Sequence, residues 1–174
     1  MNQLLADDHA ELSQLLDAAL ESSDVTERLA RIDWFWARLA MHIRAEHLHL
    51  FPAVLTALRE SDSETPSVGD AETAIKSLRR DHDSFMSDLA RTVTALRELP
   101  NRGDARSEST DVAIKLEELK GGLALHNANE EEGVYVWIER LLNADEKVRL
   151  SAKLQTELKK VPPRFDKRNE LDSE

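Results

Sequence analysis

Six residues of this chain stand where leucines would be expected. In the stretch LAMHIRAEHLHLFP, positions 39–52, Leu39, Ile43, Leu50 and Phe51 have the spacing of one buried helix face, yet His42 and Glu46 fall on or beside that face. Residues i and i+4 lie about 40° apart around a helix and one turn along it, so both side chains reach a common point. The stretch LALHNANEEEGVYV, positions 123–136, repeats the arrangement with His126 and Glu130. Two further apolar stripes each carry a single histidine, His9 and His82. An ionised carboxylate in an apolar core costs several kcal/mol unless it is paired or bound to a cation. Four imidazoles and two carboxylates converging on one axis are therefore read as a metal site. Imidazole and carboxylate without thiolate suit Fe, Mn or Zn. Six donors, with each carboxylate able to bridge, suit a two-metal centre better than a tetrahedral zinc. Two divalent ions bring four positive charges, which two glutamates and an oxo or hydroxo bridge largely offset. Metal-free burial of His–Glu pairs is the rival reading of the same residues.

The pattern is internally duplicated. DDHAELSQLL resembles RDHDSFMSDL, and the two fourteen-residue stretches above resemble each other. His42 and His126 are 84 positions apart, as are Glu46 and Glu130, while His9 and His82 are 73 apart. The repeated unit is a helix pair: one His on the first helix, His-x3-Glu on the second.

The elements that must position these residues are helices. The chain has 174 residues, only 5 Gly and 5 Pro, and segments rich in Leu, Ala, Glu, Lys and Arg. Periodicity predicts helix 1 from Asn2 to Leu20, with Leu5, Leu12, Leu16 and Ala19 inward. Helix 2 follows a capping box of Asp24 and Glu27 and runs to about Arg59, with a kink or frayed turn expected at Pro52. Helix 3 is expected to start at an Asp70 N-cap and to bury Ile75, Leu78, His82, Phe85, Leu89, Val93 and Leu96. Polar loops are expected at 60–70 and 100–110. Helix 4 then carries Val112, Leu116, Leu119, Leu123, His126, Glu130, Val134, Trp137 and Leu141 inward. The fold class expected is all-α: an antiparallel up-down four-helix bundle with a short amphipathic fifth helix near 144–160. Residues 1–160 form the expected domain, and 161–174, with Pro162 and Pro163, an extended or disordered acidic tail.

Composition excludes several classes of function. The formal net charge of −11 repels phosphate backbones, and no basic stripe interleaved with aromatics is present, so nucleic-acid binding is not expected. No run of about 18 apolar residues exists to span a membrane. The amino-terminal MNQLLADDHAEL lacks the basic and apolar regions of a signal peptide, and there is no Cys for disulfide or thiolate chemistry. A cytoplasmic location is the simplest account. Nothing in the sequence identifies a protein partner.

His9, His42-x3-Glu46, His82 and His126-x3-Glu130, with the Leu50-Phe51-Pro52 just after the first pair, resemble the hemerythrin-like, or HHE cation-binding, family. The resemblance spans roughly residues 4–142. It implies a four-helix bundle holding two iron ions, each Glu bridging them, and a chain that binds or reacts with a small oxidant such as oxygen, peroxide or nitric oxide. Sensing of iron or oxygen without turnover is the alternative it implies. The sequence departs from the oxygen carriers of that family. Met86 stands where a second helix-3 His would lie, and helix 4 has His-x3-Glu rather than His-x4-Asp. Fewer protein donors leave coordination positions open, which favours reactivity over simple carriage.

His47 and His49 are the spare imidazoles. His49 lies about 10.5 Å of helix rise beyond His42, and its repeat partner is Gly133, so the duplication does not require it. Glu131 and Glu132 are read as a solvated face, and Trp34, Trp36 and Trp137 as packing residues. Tyr135 lies nearly opposite His126 on a continuous helix, which sets it away from the site.

Overall fold

The computed structural model describes residues 2–61, 66–98 and 105–160. All of its regular structure is helical: α1 (Asn2–Glu21), α2 (Val25–Ala45), a π-helical turn (Glu46–Leu50), α3 (Phe51–Glu60), α4 (Val68–Glu98), α5 (Ala105–Glu132), α6 (Val134–Leu141) and α7 (Ala144–Leu158). The expected loop at 100–110 is shorter than read, because α5 already begins at Ala105; the 161–174 tail lies outside the described residues. No helix among the described residues is long and apolar enough to cross a membrane.

The long helices form a helical bundle in which α1 packs on α2 and α5, and α4 packs on α5 and α2. The core divides into two apolar clusters. One holds Leu12, Leu16, Phe35, Leu39, Phe85, Leu89, Leu116 and Leu123 among others; the second holds Leu5, Leu50, Phe51, Val54, Leu78, Val134, Tyr135 and Ile138. On each of the four long helical paths the polar residues fall between the two clusters: His9 between Leu5 and Leu12, His42 and Glu46 between Leu39 and Leu50, His82 between Leu78 and Phe85, His126 and Glu130 between Leu123 and Val134. Apolar layers thus close the polar level from both ends. The amphipathic α7 packs on α2, burying Leu150, Leu154 and Leu158. Arg38 fastens it by donating to Leu158 O at 2.7 Å, and Arg44 pairs with the buried Glu157.

Local chemistry explains where the ends fall and where expectation and structure part. The Asp24 carboxylate accepts from Glu27 N at 2.7 Å, but Glu27 turns to Ser22 and Arg31, so only half of the capping box forms. The cap of α4 is Ser67 rather than Asp70. Ser67 Oγ accepts from Asp70 N at 3.1 Å while Asp70 Oδ2 accepts from Ser67 N at 3.2 Å, a reciprocal box that places Asp70 inside the first turn. Asn143 and Glu146 make the same device at α7.

Two irregularities matter for function. The distortion expected at Pro52 sits one turn before it. Pro52 has no N–H to close an ordinary turn, and Phe51 N–H reaches back five residues to Glu46 O, widening the helix across Glu46–Leu50. The extra residue per turn rephases the helix beyond Leu50, so Phe51, Val54 and Leu58 continue the buried face. Helix 4 of the sequence reading is likewise two helices. At Gly133 the backbone leaves the helical range (φ −103°, ψ −95°), separating α5 from α6. A Cβ there would lie 2.8 Å from Asn129 O, a close approach that only glycine permits. The inward stripe of α6 is accordingly Val134, Tyr135 and Ile138, not Val134, Trp137 and Leu141; Trp137 is half-buried at the margin of the core.

Candidate metal centre

The structure brings all six sequence-predicted residues together, buried, at the level between the apolar clusters. They fall into two groups with Glu130 in common: His9, His42, Glu46 and Glu130, and His82, His126 and Glu130. His9 Nε2 lies 3.1 Å from His42 Nε2, and His82 Nε2 lies 2.8 Å from His126 Nε2. The glutamates divide their oxygens between the two pairs. Glu46 places Oε1 3.4 Å from His42 Nε2 and Oε2 3.4 Å from His82 Nε2. Glu130 places Oε2 3.5 Å from His9 Nε2 and Oε1 3.3 Å from His126 Nε2. Bonds of about 2.1 Å at right angles around one ion put neighbouring donors about 3 Å apart. The observed separations match that spacing.

Whether the residues fit a cation can be judged from what they lack. Glu46 and Glu130 are 0% exposed, and Glu46 Oε2 with both oxygens of Glu130 has no hydrogen-bond donor. Buried anionic oxygens without donors are strongly unfavourable unless a positive charge faces them. Paired Nε2 atoms aimed at each other add lone-pair repulsion unless protons or metal intervene. The set fits a cation.

The outer nitrogens of the histidines are held from behind. Asp8 Oδ2 lies 2.8 Å from His42 Nδ1, and Asp81 Oδ2 lies 3.3 Å from His126 Nδ1. These partners repeat: each is the aspartate just before a first-helix His, and each reaches the second-helix His of its own unit. His9 Nδ1 is held by Glu131 at 2.8 Å and His82 Nδ1 by His47 at 3.0 Å. Glu131 and His47 are again 84 positions apart, but one is a carboxylate and the other an imidazole. A partner on Nδ1 fixes the tautomer that presents Nε2 as a ligand, and a carboxylate raises the basicity of that ligand.

The structure also places the residues around the set of six. His47 is half-buried and reaches the site only through His82; His49 points to Glu157 of α7 at 3.8 Å. Glu131 is 43% exposed, as expected of a solvated face, and in addition orients His9. Helical phase alone sets Tyr135 opposite the site. It is instead 1% exposed, donating its O–H to Glu46 Oε1 at 2.8 Å with His9 Nε2 3.1 Å away. The break at Gly133 rotates α6 relative to α5 and defeats an angle counted along one helix. The signal of this in the sequence is the alignment of Tyr135 with Phe51 in the repeat.

Electrostatics separate the histidines. Burial alone would lower the His42 imidazole, but Glu46 and Asp8 push it well above its ordinary value. His126 is raised against its burial by Glu130 and Asp81. His82, with no carboxylate behind it, is lowered by burial to about 3. Asp8 and Glu130 lie below the usual carboxylate range because histidines outweigh their burial. Chelator-treated protein is therefore expected to be most stable near pH 6.5. Below that value the unfolded chain protonates His82 while the folded one does not, and further acidification also removes the stabilisation of the ionised Asp8 and Glu130. Above it, the stabilisation of protonated His42 and His126 is lost as pH rises through their elevated folded values. Melting temperatures across about pH 4 to 9 check this; a steady rise from pH 6 to 9 would contradict it.

A family model, the hemerythrin HHE cation binding domain, matches residues 1–138. No curated protein and no solved structure matches the chain significantly. The matched span contains every one of the six converging residues and Tyr135, and the chain belongs to the hemerythrin HHE cation-binding domain family.

Proposed function

We propose that the chain is a non-haem di-iron protein that binds or reacts with a small oxidant: oxygen, peroxide or nitric oxide. The observation that carries this reading is the division of the two glutamates between two histidine pairs, with three of their four buried oxygens lacking any donor. His9 and His42 would hold one ion, His82 and His126 the other, and Glu46 and Glu130 would bridge them. The thiolate-free donor set of nitrogen and oxygen suits iron, and an oxo or hydroxo bridge would complete the charge balance. The bundle is read as antiparallel and up-down. In support, the chain passes from the Leu5 cluster to the Leu12 cluster along α1, and from Leu78 to Leu89 along α4, but in the opposite sense from α2 into the π turn and from α5 into α6.

When bound, such a pair of ions supplies redox chemistry and Lewis acidity. The contribution of the chain is to prepare that site. The apolar clusters exclude bulk water on both sides, Asp8 and Asp81 hold His42 and His126 in one tautomer, and Glu131 does so for His9. The Tyr135 O–H donates to Glu46 Oε1 and fixes the orientation of that carboxylate. Only a small ligand suits so enclosed a space, and a cytoplasmic setting is consistent with a cysteine-free acidic chain.

Iron analysis of protein from iron-supplied cells tests the first half of the proposal. About two irons per chain are expected, with oxo-to-iron absorption toward the ultraviolet; well under one iron would sink it. Stopped-flow mixing of the reduced protein with each oxidant tests the second half. Rapid spectral change with at least one is expected, and inertness toward all of them would instead favour a sensing role.

A further inference from the structure

The duplication continues past the six residues. Phe51 and Tyr135 are 84 positions apart, the same offset that relates Glu46 to Glu130. Each comes after an irregular turn, the π turn in one case and the Gly133 break in the other. Each ring lies against the first-helix histidine of the opposite unit. Phe51 stacks with His82 at 6.3 Å between centroids and 16° between planes; Tyr135 stacks with His9 at 5.7 Å and 21°. Of these two equivalent rings only Tyr135 bears an oxygen, and that oxygen lies in the donor cluster, 2.8 Å from Glu46 Oε1 and 3.1 Å from His9 Nε2. These are the separations expected of adjacent donors on one ion, as short as those among the six residues themselves.

We propose that Tyr135 Oη is a seventh protein donor, to the ion held by His9 and His42, and that the ion held by His82 and His126 keeps the open position at which a small exogenous ligand binds. The proposal rests on the two-ion reading above. It comes from counting donors. The His9 side has two imidazoles, one oxygen from each glutamate and the phenol oxygen, whereas the His82 side has two imidazoles, the two glutamate oxygens and the bare ring of Phe51. The outer contacts agree in sense. A carboxylate, Glu131, stands behind His9, and an imidazole, His47, behind His82, so the more electron-rich donors gather on the side already filled. Gly133 is the backbone condition for this asymmetry, since its close approach to Asn129 O sets the rotation that brings Tyr135 inward. On ligation the phenol O–H bond breaks and its proton leaves to solvent as the oxygen–metal bond forms, as when a Cys thiol is metallated.

Ferric-loaded full-length protein tests the proposal through its iron content, visible spectrum, resonance Raman spectrum and titration with azide. The expected result is a visible phenolate-to-iron charge-transfer band, with tyrosinate ring modes enhanced on excitation into it, and one azide bound per iron pair. Tyr135→Phe should lose the band at unchanged iron content and bind two azides per pair. Phe51→Tyr should strengthen the band and weaken azide binding by about tenfold or more. Fully loaded wild-type protein without the band overturns the proposal while leaving the two-ion reading intact, and no variant is needed to see it. Tyr135→Phe with an unaltered spectrum and azide stoichiometry overturns it equally. Protein that holds no iron overturns both readings, and the metal analysis tells the cases apart.

Discussion

Replacing His126 and Glu130 together by alanine is expected to abolish iron binding and leave a folded helical protein. Glu130 belongs to both candidate groups, lying 3.5 Å from His9, 3.3 Å from His126 and 3.7 Å from His82, so its loss removes a donor from each group. His126 is one of only two imidazoles on its side. Disturbing even an outer contact of a metal ligand commonly costs 10- to 100-fold in affinity, and removing two donors should cost well over 100-fold. The effect on the metal-free fold has the opposite character. Both members of a buried charged pair leave at once, so no uncompensated charge remains, and such replacements are often neutral or stabilising by about 1–4 kcal/mol. Bound iron measured beside circular dichroism and a thermal melt separates the two effects. A double variant that retains iron near the wild-type ratio would defeat the assignment. A wild type without iron and a double variant of raised stability would instead favour the metal-free reading, buried His–Glu pairs.

Removal of metal should lower the melting temperature by roughly 8–16 °C. The physical reason lies in the same buried oxygens. Without a cation, Glu46 Oε2 and both oxygens of Glu130 make no hydrogen bond and have only histidines at 3.3–3.5 Å to offset their charge, and the Nε2 atoms of the histidine pairs confront each other at 3.1 and 2.8 Å. A cation that binds the folded state alone adds about 4 kcal/mol at a free concentration a thousandfold above its Kd. In a domain of this length each kcal/mol moves the midpoint by about 2–4 °C. Calorimetry of loaded, chelated and reloaded protein checks the shift, and coincident melts would remove the structural basis for the site. Turnover assays on the same samples distinguish the two functional readings: large stabilisation without turnover marks a sensor, stabilisation with turnover a reactive centre. The pH of the comparison matters. Cation and protons compete for His42 and His126, so the gap between loaded and chelated protein should widen as pH rises above about 6.5.

The six converging residues are legible in the sequence because two independent regularities coincide on them. Helical periodicity marks each as an interruption of an apolar stripe, and the 84- and 73-residue offsets pair the interruptions with one another. The aspartates behind His42 and His126 are legible only in principle, since Asp8 and Asp81 immediately precede the first-helix histidines in both repeats. Their roles stay hidden because their partners lie on neighbouring helices, at distances along the chain that no local spacing encodes. Ser67 is hidden as a cap for a simpler reason. Ser67 and Asp70 form a reciprocal pair, and either can be mistaken for its leading member.

Resemblance to a known family pointed to the chain's relatives, while composition, periodicity and duplication in the amino-acid sequence were sufficient to determine an all-helical chain and six polar residues bound for a common level of the core. Each is a property of spacing along one helix or of comparison between two segments, and needs no knowledge of how helices meet. The tertiary structure alone decided what surrounds those residues. It sent His47 to the back of His82 and His49 to Glu157, and gave Glu131 a partner in His9. It also brought Tyr135 onto Glu46. The reason is phase. A helical angle can be counted from sequence only while the helix is regular, and this chain departs from regularity just past each glutamate, at Glu46–Leu50 and at Gly133. Beyond those points the direction of a side chain is set by packing between helices. There two halves that read as near copies acquire different chemistry.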